Sequence, residues 1–137
     1  MTSLLNEKRT ILLIDNDQRS SYIISLILKL NGYDVDYHAD PKPVLSHLHN
    51  RMYDLILLNL TSIKTNYLEL YNQIRSKDAR VKICFMTDNR FHNKTYHDEK
   101  FVQLSKRDHL TSCDFVDKPV NTNEILEIVV SHLEQQY

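Results

Sequence analysis

Four short apolar runs in this chain each end in a polar side chain able to do chemistry. Ile11-Leu12-Leu13-Ile14 leads into Asp15-Asn16-Asp17, and Asp54-Leu55-Ile56-Leu57-Leu58 ends at Asn59. Ile83-Cys84-Phe85-Met86 leads to Thr87, and Phe115-Val116 leads through Asp117 to Lys118-Pro119. Continuous apolar runs of this length read as buried parallel strands, and the residue leaving such a strand at its carboxyl end faces the ligand crevice of an α/β sheet. Acids, a hydroxyl and an ammonium are polar groups suited to that crevice. The central run, however, ends in an amide, which is neutral and a very poor nucleophile.

The elements that must position these groups follow from periodicity. Five apolar runs alternate with longer amphipathic stretches, the pattern of a βα-repeating parallel sheet. After the first strand, Asp17 or Asn16 is placed to cap a helix with Ile23, Ile24, Ile27, Leu28 and Leu30 as its apolar positions. That helix stops at Asn31-Gly32, where the single glycine of the chain supplies a left-handed residue. Residues 33–37 alternate as an edge strand, with Val35 inward and Asp34 and Asp36 outward. Asp40-Pro41 opens a second helix through Val44, Leu45 and Leu48. A third helix is predicted over about 67–76 with Leu68, Leu70, Tyr71 and Ile74 as its stripe. Asn121 with Glu124 forms a capping-box-like start for a last helix carrying Ile125, Leu126, Ile128, Val129 and Leu133. The segment from about 88 to 112 is irregular and polar in its middle, and reads as a longer loop plus one helix.

Bulk properties narrow the function classes. At 137 residues the expectation is one domain spanning 1–137, with a core over about 10–134. A formal charge of -1 gives no argument for nucleic acid or an anionic membrane, and no stretch approaches the length of a membrane span. A cytoplasmic protein is expected. One glycine excludes any glycine-rich phosphate loop or dinucleotide fingerprint. Cys84 sits in an apolar strand as a small core residue, and a disulfide framework is not expected. The seven histidines give no zinc pattern: His47 and His49 point to different faces of a helix, and His92 and His97 have no nearby cysteine. Lys94, Lys100, Lys106 and Arg107 alternate with Asp98, Glu99 and Asp108, a mixed solvated face. Tyr33, Tyr53 and Tyr71 are expected to flank the core.

Acid cluster, central strand end, threonine and lysine-proline in this order resemble the receiver domain of two-component response regulators, and the resemblance covers 11–133. It implies a flavodoxin-like (CheY-like) α/β fold with a five-stranded parallel sheet in the order 2-1-3-4-5 and helices on both faces. It also implies a role for each site residue. Asp15 and Asn16 occupy the acidic pair that holds the metal, Asn59 the phospho-acceptor, Thr87 the hydroxyl for the phosphoryl group and Lys118 its ammonium. Phe115 matches the switch aromatic, and the bond before Pro119 is expected to be cis. The 88–112 connection is longer than such domains usually have.

Three departures point the same way. Asn59 cannot form an acyl phosphate. Asn16 removes a carboxylate, leaving Asp15 with Asp17 as its only helper, so magnesium is expected to bind weakly at most and no other cofactor is expected. Residues 61–67 also lack the proline and glycine of the usual turn. Lys118 paired with Asp15 would lock the site in one state. The expectation is therefore a stand-alone atypical receiver, not an enzyme, that signals through protein contacts independently of aspartyl phosphorylation. The reading of it as stand-alone rests on a last helix that runs to Tyr137 and leaves no room for an output domain. Its partner would be a kinase, a regulator or another receiver. The resemblance also implies that a homodimer could form through the surface of the fourth helix, fifth strand and fifth helix. Two alternatives stand beside it: a small haloacid-dehalogenase-like phosphatase with Asp15 as nucleophile and Asp17 as general acid, and a receiver phosphorylated at a non-standard aspartate.

Overall fold

A computed structural model describes residues 8–59, 67–88, 113–118 and 122–134, with the backbone alone for 67–68, 87–88, 113–118 and 122. Leu12, Leu57 and Phe85 lie at its centre, on three neighbouring strands, and their side chains are almost wholly removed from water. The strands are β1 (Thr10–Asp15), β2 (Asp34–His38), β3 (Leu55–Asn59), β4 (Lys82–Asp88) and β5 (Cys113–Lys118). The helices are α1 (Gln18–Leu30), α2 (Pro41–Leu45), α3 (Tyr67–Lys77) and α4 (Thr122–Leu133). All neighbouring strands pair in parallel, in the order β2-β1-β3-β4-β5. This is the order the resemblance implies.

Strand side chains alternate between faces, so the apolar runs feed two separate cores. Leu12, Ile14, Ile56, Leu58, Ile83 and Phe85 pack with Val44, Leu70, Tyr71 and Ile74 beneath α2 and α3. Ile11, Leu13, Leu55, Leu57, Cys84 and Met86 pack with Ile24, Leu28, Ile125 and Val129 beneath α1 and α4. Burial on both faces explains why β1, β3 and β4 read as unbroken apolar runs. Cys84 is a buried free thiol. Tyr33, Tyr53 and Tyr71, expected to flank the core, are buried as members of it. Among the described residues β2 is paired along one edge alone, and its exposed Asp34 discourages the addition of a further strand.

Local signals act where the sequence places them. Asp17 caps α1, its carboxylate accepting from the backbone of Arg19 and Ser20. The helix ends at Asn31, and Gly32 follows at φ +92°; no neighbour would obstruct a side chain there, so the left-handed backbone is the reason for glycine. Asp40 caps α2 through the Lys42 N–H, with Pro41 in the first turn. Asp78, a buried carboxylate, ties two loops together by accepting from the N–H groups of Arg51, Arg80 and Val81. Lys82 of β4 donates to the carbonyl of His132 at the end of α4.

Two assignments change. Ile23 and Leu30, expected on the buried stripe of α1, are 55% and 75% exposed; Ile24 and Leu28, with Ser21, form the face that packs on the sheet. Leu48 is buried as expected but lies beyond the end of α2. The helix expected within 88–112, the Asn121 cap and the Pro119 bond lie outside the described residues.

Candidate functional site

The ladder brings the polar strand ends together. Asp15 pairs directly with Asn59 across β1 and β3, and Asn59 with Met86, one residue before Thr87. Thr87 pairs with Asp117, and Asp88 with Lys118, across β4 and β5. The backbones of Asp15, Asn59, Thr87 and Lys118 therefore stand at the carboxyl edge of the sheet. The side chains of Thr87, Phe115 and Lys118, and with them the expected Lys118–Asp15 ion pair, lie outside the described residues.

Asp15 and Asn59 are both completely buried. Asp15 Oδ1 accepts from the backbone N–H of Asp17 at 2.8 Å, and Oδ2 accepts from Asn59 Nδ2 at 2.9 Å. The same amide nitrogen donates to Ser20 Oγ at 2.6 Å. With both hydrogens of Nδ2 used, Asn59 joins the central strand, the first strand and the first turn of α1. Tyr37 of β2 donates its hydroxyl to the carbonyl oxygen of Asp15 at 2.9 Å, which holds the strand end from the other side.

Electrostatics sets the amide orientation. Turning Asn59 over would place its oxygen against the Asp15 carboxylate, acceptor facing acceptor in a dry site. Facing nitrogen to carboxylate leaves Asn59 Oδ1 buried and without a hydrogen-bond partner among the described residues. An unmet buried acceptor costs about 1–3 kcal/mol. The charge-assisted bond to Asp15 offsets that cost.

The arrangement is a poor fit to a hard divalent cation. One amide hydrogen of Asn59 is bound to Asp15 Oδ2, and the neutral amide offers a cation no second carboxylate beside it. Asn16, in the second position of the acidic pair, is exposed and uncharged. Asp17, the expected helper, has Oδ1 engaged in the α1 cap, at 3.0 Å from Arg19 N and 3.4 Å from Ser20 N. Among the described residues no three His, Cys, Asp or Glu side chains come together as a metal-binding group.

Ser20 is the site residue that sequence reasoning overlooked. A signal for it exists: Ser20 stands four residues before Ile24, in line with the buried face of α1, where a serine has little reason to be unless it meets a polar partner. Outside the crevice, Asp36 accepts from the Tyr53 hydroxyl and lies 3.3 Å from His38 Nε2. Burial pushes the Tyr53 phenol well above its ordinary 10.0, and the hydrogen bond and charge of Asp36 push it further.

Comparison with known proteins agrees with the fold. "Response regulator ArlR" of Staphylococcus saprophyticus is 29% identical over 126 residues, covering 92% of this chain and 53% of that protein. "CAI-1 autoinducer sensor kinase/phosphatase CqsS" of Vibrio cholerae is 27% identical over 128 residues, covering 90% of this chain and 17% of that protein. The chain thus spans about half the length of the first relative and less of the second. The CheY-like receiver domain protein from Methanospirillum hungatei superposes with a TM-score of 0.72 at 21% identity, covering 93% of this chain and 95% of that one. The sequence pattern described as "Response regulator receiver domain" matches residues 11–130, and the chain therefore belongs to the response regulator receiver family.

Proposed function

We propose that this is an atypical receiver that transmits a signal through protein contacts without phosphorylation of an aspartate. One observation carries the reading: the side chain at the acceptor position is an amide whose nitrogen is bound to Asp15 and Ser20. An amide nitrogen bearing two donated hydrogens has no lone pair to offer, and the amide oxygen is neutral. In an acceptor site the cation neutralises neighbouring carboxylates. In this chain one Asn59 N–H is bound to Asp15 instead and the other to Ser20, so the crevice closes on itself and magnesium binds weakly at most. The geometry also disfavours a phosphatase built on Asp15, because that carboxylate is buried and both its oxygens accept hydrogen bonds. Its partners in this reading are proteins of a two-component pathway: a kinase, a regulator or another receiver.

The test is incubation with a small-molecule phosphodonor and magnesium, followed by intact-mass analysis with and without hydroxylamine. The expected result is an unmodified chain. A hydroxylamine-sensitive adduct on any aspartate overturns the proposal and favours a non-standard acceptor. Phosphatase turnover abolished by Asp15→Asn would instead establish the enzyme reading.

A further inference from the structure

Among the described residues, the exposed large apolar side chains fall almost entirely on two helices. Tyr22, Ile23, Leu26 and Leu30 of α1 are 70%, 55%, 44% and 75% exposed, and Val130 of α4 is 44% exposed. The exception is Tyr37, whose hydroxyl is held by Asp15. Tyr22, Leu26 and Leu30 are spaced four apart and so form one stripe along the helix, with Ile23 beside it. α1 and α4 lie on the same face of the sheet over one shared core, and their carboxyl ends lie together, where Tyr33 just past α1 donates to Glu134 just past α4, so the two helices run in the same direction. Leu126 and Ile128 of α4 are half-buried, between that core and the surface. A hollow of about 460 Å³ runs along α4, lined among the described residues by Asn123, Leu126, Glu127, Val130 and Ser131.

The charges on the two helices are segregated. α1 carries Arg19 and Lys29 and no acid, whereas α4 carries Glu124 and Glu127 and no lysine or arginine. Arg19, Lys29, Glu124 and Glu127 are all exposed. A surface with a basic half and an acidic half, joined by apolar side chains, is complementary to itself under one operation. A two-fold axis parallel to the helices, between them, lays the α1 of one copy on the α4 of the other, and the reverse. An axis across the helices would set α1 on α1 and bring like charges together. Isologous dimers of this kind are the commonest closed assembly.

We infer that a second copy of this chain docks on the α1–α4 face, with basic α1 against acidic α4 in both directions. The exposed stripe of α1 supplies the apolar side chains, and the hollow along α4 receives them. This interface shares the last helix with the surface of the fourth helix, fifth strand and fifth helix expected from the resemblance, but joins it to α1 instead of to the fourth helix and fifth strand. It does not depend on whether the crevice is phosphorylated.

Sedimentation equilibrium of the whole chain over a range of concentrations tests it. The expected result is a monomer–dimer equilibrium that weakens by about tenfold in Leu26→Glu, with an unchanged circular dichroism spectrum. Reversing α1 alone (Arg19→Glu with Lys29→Glu), or α4 alone (Glu124→Lys with Glu127→Lys), weakens the dimer, and combining both reversals restores it. Restoration is the result that a merely destabilised fold would not produce. A monomer at every concentration, or a dimer indifferent to Leu26→Glu, overturns the proposal; so does a combined reversal that stays monomeric while folded.

Discussion

Asn59 donates its side-chain amide to Asp15 Oδ2 across 2.9 Å, between two residues that the parallel ladder of β1 and β3 sets directly opposite each other. A carboxylate at position 59 would meet Asp15 at the same distance and repel it. The amide turns that repulsion into a bond, and it satisfies from within the protein a carboxylate that otherwise calls for a cation.

Asn59→Asp therefore places two buried carboxylates in contact. At neutral pH without divalent cations the variant is expected to lose about 2–4 kcal/mol of stability. The pair's protonation is shifted upward relative to the unfolded chain, so the deficit is full at high pH and shrinks as the pH falls. Magnesium is expected to recover part of it. Thermal melts at acidic and neutral pH, with and without magnesium chloride, check both statements. A variant as stable as the parent in either condition and indifferent to magnesium would contradict the proposed role of the amide.

Ser20→Ala removes the second acceptor of the Asn59 amide, the 2.6 Å bond to Ser20 Oγ. One amide hydrogen is then buried without a partner, at a cost of about 1–2 kcal/mol. Urea unfolding reads that cost. The double variant Ser20→Ala with Asn59→Ala is expected to be non-additive, because the first change already removes a bond that the second would remove.

Asp17→Ala deletes the α1 cap and is expected to cost about 1 kcal/mol, while Asp17→Asn costs only a few tenths. If Asp17 serves the cap rather than a cation, the loss is the same with and without magnesium. A magnesium-dependent difference would return Asp17 to the metal site.

Tyr53 and Tyr33 both ionise later in the folded chain than in the unfolded one. Burial leads in each case, assisted by Asp36 for Tyr53 and Glu134 for Tyr33. A raised folded pKa contributes stability that is fully present below the unfolded value of 10.0 and lost as the pH rises through the folded value. Spectrophotometric titration is expected to show a late-ionising phase, reduced in Tyr53→Phe. That variant is also expected to lose less stability than the parent between neutral and strongly alkaline pH.

The sheet was legible in the sequence because strands buried on both faces leave unbroken apolar runs, and those runs end where the ladder later aligns Asp15, Asn59 and the Thr87 region. Capping was legible for a similar reason: Asp17, Asp40 and the Asn31-Gly32 stop act over a few residues. The outward turn of Ile23 and Leu30 was less so. Every residue on the apolar arc of α1 looks equally suited to a core, and only the position of the sheet selects Ile24 and Leu28.

Chain order and residue type alone thus determined the architecture, the family resemblance and the neutral amide at position 59, since each is written in local pattern or in a single side chain. The tertiary structure decided what that amide does. Ser20 and Asn59 lie 39 positions apart and meet only because α1 folds back over the strand ends. The direction of the Asn59 amide depends on the charge of Asp15, a neighbour across the sheet rather than along the chain. Burial makes that choice binding, because in a dry site a donor must face an acceptor.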